Sequence, residues 1–179
     1  QTCALPIWDM YAYHFSGYWK DVGTISSLWE ANMEVLDPKN SGIDLFDEDW
    51  KIYSRNSGMT GHKIGSDAVI KNSMITDGCR IDGEVEHSVL FAGVKVAPGA
   101  VVKDAVVMGG TVIKPGAVVE HCIIGENAVI GENAKIGVEK EGEDKGVATI
   151  GPGVYVGDGA TVGSNAMVRE NVKDGEEEW

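Results

Sequence analysis

The chain has 179 residues, including 24 glycines, with 7% aromatic side chains and a formal net charge of -13 at pH 7. Its length predicts one or two small domains, and so much glycine without a collagen period favours a turn-rich solenoid. The 15 basic residues are scattered among 28 acidic ones, and we therefore expect no nucleic-acid partner, because phosphate binding needs clustered Lys and Arg.

Cysteine content and hydropathy indicate in which cellular compartment the protein is expected. Cys3, Cys79 and Cys122 contain no CxxC pair, so the sequence indicates neither a zinc site nor a disulfide framework, and a cytoplasmic location is expected. No apolar run approaches the roughly 20 residues that span a bilayer, so we expect no membrane partner. The first eight residues lack the basic region and apolar core of a signal peptide.

The first two predicted elements are a strand and a helix. Residues 9–15 are predicted to form a strand, because tyrosines alternate with alanine there. Residues 24–36 are predicted to form a helix, because Ser27 and Glu30 have the spacing of a capping box and Pro38 prevents continuation. Between these elements lies the segment GYWKDVGT, residues 17–24.

This segment carries a resemblance to a known family. GYWKDVGT, followed at once by SLWEANM at 27–33 and later by DWKIY at 49–53, resembles the carboxy-terminal part of glucose-1-phosphate adenylyltransferases. The resemblance covers roughly residues 10–173. Residues 1–8 match nothing in that family, and we expect them to be artefactual; residues 1–36 are then the end of an α/β nucleotidyltransferase domain.

The resemblance implies roles for three residues. Asp21 is similar to the catalytic aspartate that helps to hold Mg²⁺ in sugar-nucleotide transferases, and such an ion is commonly bound by one or two carboxylates plus substrate phosphates. The alternative is that Asp21 only caps the following turn. Trp19 is expected to line the sugar pocket and Lys20 to face a phosphate; the alternatives are a packing role for Trp19 and simple exposure for Lys20.

After the predicted helix the pattern changes twice. Residues 37–62 have no period and many turn formers, which predicts a linker, anchored by Leu45, Phe46, Trp50, Ile52 and Tyr53. From residue 63 a repeat begins, and segments 88–104, 105–121 and 122–138 align without gaps. Their aliphatic residues fall into columns: Leu90, Val107 and Ile124; Val96, Ile113 and Ile130; Val102, Val119 and Ile136.

Within each copy these aliphatics are about six residues apart, a period that fits neither a helix nor a flat amphipathic strand. It fits a chain that bends at every sixth residue, with Gly or Asn in the corners, as in the Gly-Glu-Asn turns at 125–127 and 131–133. We predict a mainly β protein with a parallel β-helix over 63–173 and a frayed acidic tail at 174–179. The repeat also resembles that of hexapeptide-repeat proteins, and this resemblance implies that the β-helix is left-handed.

The resemblance also implies an activity. The family makes ADP-glucose and pyrophosphate from ATP and glucose 1-phosphate for glycogen biosynthesis, and its β-helix supports a homo- or hetero-tetramer and an effector site. The family's glycine-rich phosphate loop has no counterpart in these 179 residues, so we expect this chain to be inactive by itself.

Other functions stay open. A left-handed β-helix also resembles hexapeptide acyltransferases, in which a His acts as general base; His87 and His121, with the charged loop at 138–147, fit that pattern. We favour surface histidines, because two coils of separation place these residues about 10 Å apart. A different hexose-1-phosphate nucleotidyltransferase and a non-catalytic regulatory subunit are the remaining alternatives.

Overall fold

The computed structural model describes residues 11–53, 56–139 and 146–179. The helices in this part of the chain are α1 (Ile25–Glu34) and α2 (Pro38–Ser41). The strands are β1 (Lys63–Ile64), β2 (Val69–Lys71), β3 (Met74–Ile75), β4 (Arg80–Ile81), β5 (Glu84–Glu86), β6 (Val89–Leu90), β7 (Lys95–Val96), β8 (Val101–Val107), β9 (Val112–Ile113), β10 (Val118–Ile124), β11 (Val129–Ile130), β12 (Lys135–Val138), β13 (Ala148–Ile150), β14 (Tyr155–Val156), β15 (Thr161–Gly163), β16 (Met167–Val168) and β17 (Glu177–Glu178).

The strands stack in parallel into a three-sided solenoid. Side 1 has the order β1-β4-β7-β9-β11-β14, and side 2 runs from β2 through β5, β8, β10, β12 and β15 to β17. Side 3 consists of β3, β6, the second halves of β8 and β10, β13 and β16. We number the coils 1 to 6, coil 1 being β1–β3 and coil 4 being β9 and β10.

The predicted columns of aliphatic side chains form the core. Leu90 pairs with Val107, which pairs with Ile124 on side 3, and Val96, Ile113 and Ile130 align in the same way on side 1. These five β-branched residues and the leucine are at most 1% exposed. Stacking aliphatics from successive coils removes them from water, which is the main favourable term in folding. The prediction of a mainly β, stacked solenoid is confirmed.

The corners have the expected turn chemistry. In the two Gly-Glu-Asn turns the asparagines, Asn127 and Asn133, take the left-handed conformation, each at φ 56°. Gly137 is also left-handed, at φ 82°, and the carbonyl of Glu120 fills the space that a side chain would need. Glycine is the residue that satisfies both constraints at this corner.

Side 3 carries a second, outer apolar layer. Val89, Val106 and Ile123 precede the inward column by one residue each, so they point away from the core, yet they are at most 6% exposed. Helix α1 covers them and packs its Met33 against this column, with Leu28 and Trp29. Helix α1 and the β-helix therefore form one packed body.

Four local predictions are corrected. The described part of the predicted strand, residues 11–15, is not a strand, because no neighbouring strand pairs with it, and Tyr11 and Tyr13 are about nine-tenths exposed; residues 9 and 10 lie outside the described residues. The predicted helix is shorter, and its capping box joins Thr24 to Ser27 instead of Ser27 to Glu30.

The other two corrections concern the linker and the tail. Phe46, Trp50 and Tyr53 are 78–87% exposed, and Ile52 is also exposed, so the prediction that they anchor the linker is wrong within the described chain. The tail is not frayed, because β17 pairs with β15 and the Trp179 ring lies against Gly163. Of the predicted charged loop at 138–147, residues 140–145 lie outside the described residues.

Candidate functional site

The predicted site lies in an irregular segment just before α1. Residues 17–23 have no helix or strand, and the chain becomes helical at Ile25 because Thr24 accepts a hydrogen bond from the Ser27 amide while Ser27 accepts one from the Thr24 amide. Reciprocal bonding of this kind satisfies donors that the first helical turn leaves free. Thr24, and not Asp21, is therefore the N-cap of α1.

Asp21 itself is exposed. Across residues 11–53, 56–139 and 146–179, no group of three or more His, Cys, Asp or Glu side chains is arranged to hold a metal ion. Asp21 therefore belongs to no such group among the described residues.

Trp19 and Lys20 lie on a polar cleft of about 510 Å³. The cleft is also lined by Tyr18, Glu34 and Asp37, and its lining does not include Asp21. Trp19 is 75% exposed, so packing does not account for its ring in the described chain. Trp19 and Lys20 thus line this cleft together, whereas Asp21, the next residue, does not.

Lys20 is held by carboxylates of α1. Its Nζ lies 2.6 Å from Oε1 of Glu34 and 3.1 Å from Oε2 of Glu30. The hydroxyl of Tyr18 donates to the other oxygen of Glu34, at 2.7 Å. Hydrogen bonds from Lys20 and Tyr18 lower the pKa of the Glu34 carboxyl, and the same bond to Glu34 raises the pKa of Tyr18.

Helix α1 is fixed to the β-helix one turn before Glu34. Nε1 of Trp29 donates to the carbonyl of Asp104 at 2.7 Å, and its ring meets the ring of His121 edge-on, with centroids 4.3 Å apart. Tyr18, Trp29 and Glu34 were not among the residues predicted for the site. The one usable signal in the sequence was the i, i+4 spacing of Glu30 and Glu34, which places two carboxylates on one face of the helix.

The two predicted histidines occupy equivalent left-handed corners, with φ 44° at His87 and 43° at His121. Asp104 occupies the same corner of the coil between them, and its Oδ1 lies 2.7 Å from Nδ1 of His87. His87 and His121 thus contact different partners, as the expected two-coil separation requires.

The described helices include none that is long and apolar enough to cross a membrane. Residues 57–157 match the family described as GlmU-like, C-terminal hexapeptide. Residues 7–38 match the family described as nucleotidyl transferase. The hexapeptide match confirms the left-handed hand that was predicted for the β-helix.

The chain is also similar to proteins named glucose-1-phosphate adenylyltransferase. The one from Clostridium perfringens (strain SM101 / Type A) is 57% identical over 97 residues, which are 54% of this chain and 25% of the relative. The one from Geobacillus stearothermophilus is 53% identical over 93 residues, 52% of this chain and 24% of the relative. The one from Clostridium beijerinckii is 50% identical over 97 residues, 54% and 25% respectively.

These relatives confirm the resemblance that the sequence motifs indicated. The chain spans about a quarter of the length of the curated relatives it matches.

Proposed function

The chain belongs to the GlmU-like, C-terminal hexapeptide family, and we propose that it serves as the C-terminal part of a glucose-1-phosphate adenylyltransferase. The whole enzyme would make ADP-glucose and pyrophosphate from ATP and glucose 1-phosphate for glycogen biosynthesis. One observation carries the proposal: the segments that match the two families pack together. Helix α1 lies in the nucleotidyl transferase match, and its Trp29 is hydrogen-bonded to the β-helix of the hexapeptide match.

In this proposal Asp21 contributes one ligand to Mg²⁺ in the whole enzyme. The ion would neutralise phosphate charge during transfer. Trp19 would border the sugar site from the polar cleft. Lys20 as a phosphate ligand stays a prediction, and its charge is already matched by Glu30 and Glu34.

The chain by itself is proposed to be inactive, with the β-helix as an oligomerisation and regulatory module of a cytoplasmic tetramer. The exposed aromatic residues support a role in contact with another part of the enzyme. Trp19, Phe46, Trp50 and Tyr53, all within residues 19–53, are 75–87% exposed, and large apolar groups left at a surface are candidates for contact with a partner. We propose that the rest of the nucleotidyltransferase domain covers them.

Reconstitution tests the proposed function. The 179-residue chain is mixed with the first three quarters of the C. perfringens relative, and pyrophosphate release is measured with ATP, glucose 1-phosphate and Mg²⁺. We expect release from the mixture and none above a blank from either part. Asp21→Asn should abolish the gain, whereas the matched change Asp67→Asn, on an exposed turn of the β-helix, should not. A mixture that forms a complex but releases no pyrophosphate would contradict the proposal.

One observation favours a second candidate, a hexapeptide acyltransferase. The carboxylate of Asp104 lies within hydrogen-bonding distance of His87, an arrangement that orients a general base. Retention on a coenzyme A resin, lost on His87→Gln, would support this candidate. If the wild-type chain passes through the resin without retention, the acyltransferase candidate is wrong.

A further inference from the structure

Glu34 makes two contacts that converge on the segment before Asp21. Each of its carboxylate oxygens accepts from a different side chain, one from Tyr18 and one from Lys20, at 2.7 and 2.6 Å. Both donors lie within the three residues that precede Asp21 in the chain. The Glu34 carboxylate therefore contacts two residues of this irregular segment, in which the described residues form no strand or helix, whereas Glu30 contacts Lys20 alone.

The position of Glu34 on the helix is unfavourable for helix stability alone. It is the last residue of α1, where the partial negative charge of the helix dipole disfavours a carboxylate, and the last turn contains no basic residue to compensate. Lys20 supplies the missing positive charge from outside the helix. The helix thus carries at its end a charge that, among the described residues, is stabilised by the contacts with Tyr18 and Lys20.

The same helix turn is packed against the β-helix. Met33, the neighbour of Glu34, is 7% exposed and packs against the outer layer of side 3, and Trp29 is bonded to the carbonyl of Asp104. Contacts therefore run without a break from the coils, through α1, to Tyr18 and Lys20.

We propose that Glu34 is a positioning residue that holds the Asp21 segment at a fixed place relative to the β-helix. The role of Asp21 rests on the proposed function, but the contacts of Glu34 do not. Through this carboxylate the β-helix sets where the catalytic aspartate stands when the rest of the nucleotidyltransferase domain is present.

The first test uses the 179-residue chain and Glu34→Gln. The variant keeps one acceptor oxygen for two donors and loses the charge. We expect backbone ¹⁵N relaxation to show a rigid Asp21 amide in the wild-type chain, with an order parameter of about 0.85, and a value below about 0.6 in the variant. Glu30→Gln, which leaves the Tyr18 contact intact, should change this value little.

A spectroscopic signature separates the contact from general destabilisation. The carboxylate of Glu34 disfavours the phenolate of Tyr18, so the Tyr18 pKa, followed by ¹³C NMR of labelled tyrosine, should fall towards its ordinary value in Glu34→Gln and stay raised in Glu30→Gln. Tyr18→Phe assigns the resonance. An unchanged Asp21 order parameter together with an unchanged Tyr18 titration would overturn the proposal.

The activity arm uses the reconstituted complex. Glu34→Gln should lower kcat about tenfold or more while the KM values for ATP and glucose 1-phosphate stay within about twofold, because positioning acts on the transition state. Glu48→Gln, the same charge change at an exposed linker position, should leave kcat unchanged. If the variant frees Asp21 in the NMR experiment but kcat does not fall, the positioning role is wrong. If the wild-type mixture is inactive, the proposed function fails and the NMR result alone decides the contact.

Discussion

At the scale of single residues, the corners of the β-helix are as demanding as its core. Gly137 and Gly153 have similar left-handed backbones, at φ 82° and 70°, but different surroundings. The carbonyl of Glu120 fills the space beside Gly137, whereas nothing lies within 4 Å of the place where a side chain of Gly153 would begin. The two positions separate backbone strain from crowding.

We therefore predict different costs for the same substitution. Gly153→Ala should lower the free energy of unfolding by about 1–2 kcal/mol, the cost of a left-handed alanine. Gly137→Ala should cost about 1–3 kcal/mol more, because a methyl group must displace a backbone carbonyl. Urea unfolding of both variants measures the difference, and equal losses would contradict the corner geometry.

At the scale of elements, helix α1 depends on the β-helix for its stability. It has ten residues, too few to be stable in isolation, and its apolar side chains fill the outer layer of side 3. Trp29 joins packing and hydrogen bonding in one side chain. Its indole links α1 to the stacked corners at Asp104 and His121.

Substitutions of Trp29 should divide these two contributions. Trp29→Phe keeps most of the ring and leaves the Asp104 carbonyl without its donor, so we expect a loss of about 1 kcal/mol in unfolding free energy. Trp29→Ala should lose more, near the lower end of the roughly 3–5 kcal/mol typical of buried aromatics, because Trp29 is half-buried.

The control is Trp50→Ala, since that side chain is 79% exposed. We expect it to change the unfolding free energy by less than about 0.5 kcal/mol. Circular dichroism during urea unfolding would follow all three variants. A Trp29→Ala protein as stable as Trp50→Ala would show that α1 does not need its docking on side 3.

At the scale of the whole molecule, the two ends of the solenoid differ. In coil 1 one edge of β1 and β2 pairs with no strand of the described residues, and Ile64 and Val69 are 41–43% exposed. The other end is covered by β17, which pairs with β15 and places Glu177 and Glu178 on the last edge. Charged residues on an edge strand oppose pairing with a second chain.

Removal of residues 176–179 should expose this end. We expect a lower melting temperature, by about 2–4 °C for each kcal/mol lost, and greater self-association as the bare edge of β15 becomes available. Thermal melts and light scattering measure the two effects. Trp179→Ala, which keeps β17, should lower the melting temperature with no increase in association; association equal to that of the truncated chain would assign the protection to the indole.

The sequence predicted what depends on neighbours at a fixed spacing and missed what depends on distant partners. Ile113 and Ile130 belong to a repeat, so their burial followed from the period. The outer column is also regular in the sequence, because Val89 and Val106 each precede a core residue by one position. Its packing partner, however, is α1, which lies more than 50 residues earlier in the chain. Whether Trp50 is exposed or buried depends on whether a distant surface packs against it, and no local sequence pattern contains that information.

The candidate site was predictable in the same partial way. Motif resemblance selected Trp19, Lys20 and Asp21, but it could not show that Lys20 is already matched by two carboxylates of α1. That arrangement arises because a helix and an irregular segment fold back on each other, and spacing along the chain shows only that the two carboxylates share one face of α1.

Helix α1 also divides the mechanical behaviour of the molecule. In a solenoid each coil contacts only the next, so tension applied at one end normally unravels it one coil at a time. Here Met74, Val89, Val106, Ile123 and Val147, from coils 1 to 5, belong to one apolar cluster with α1. A pull on the carboxyl end would therefore peel β17 and coil 6 first and then meet coils that one helix holds together, so the resistance to extension would rise once coil 6 is lost.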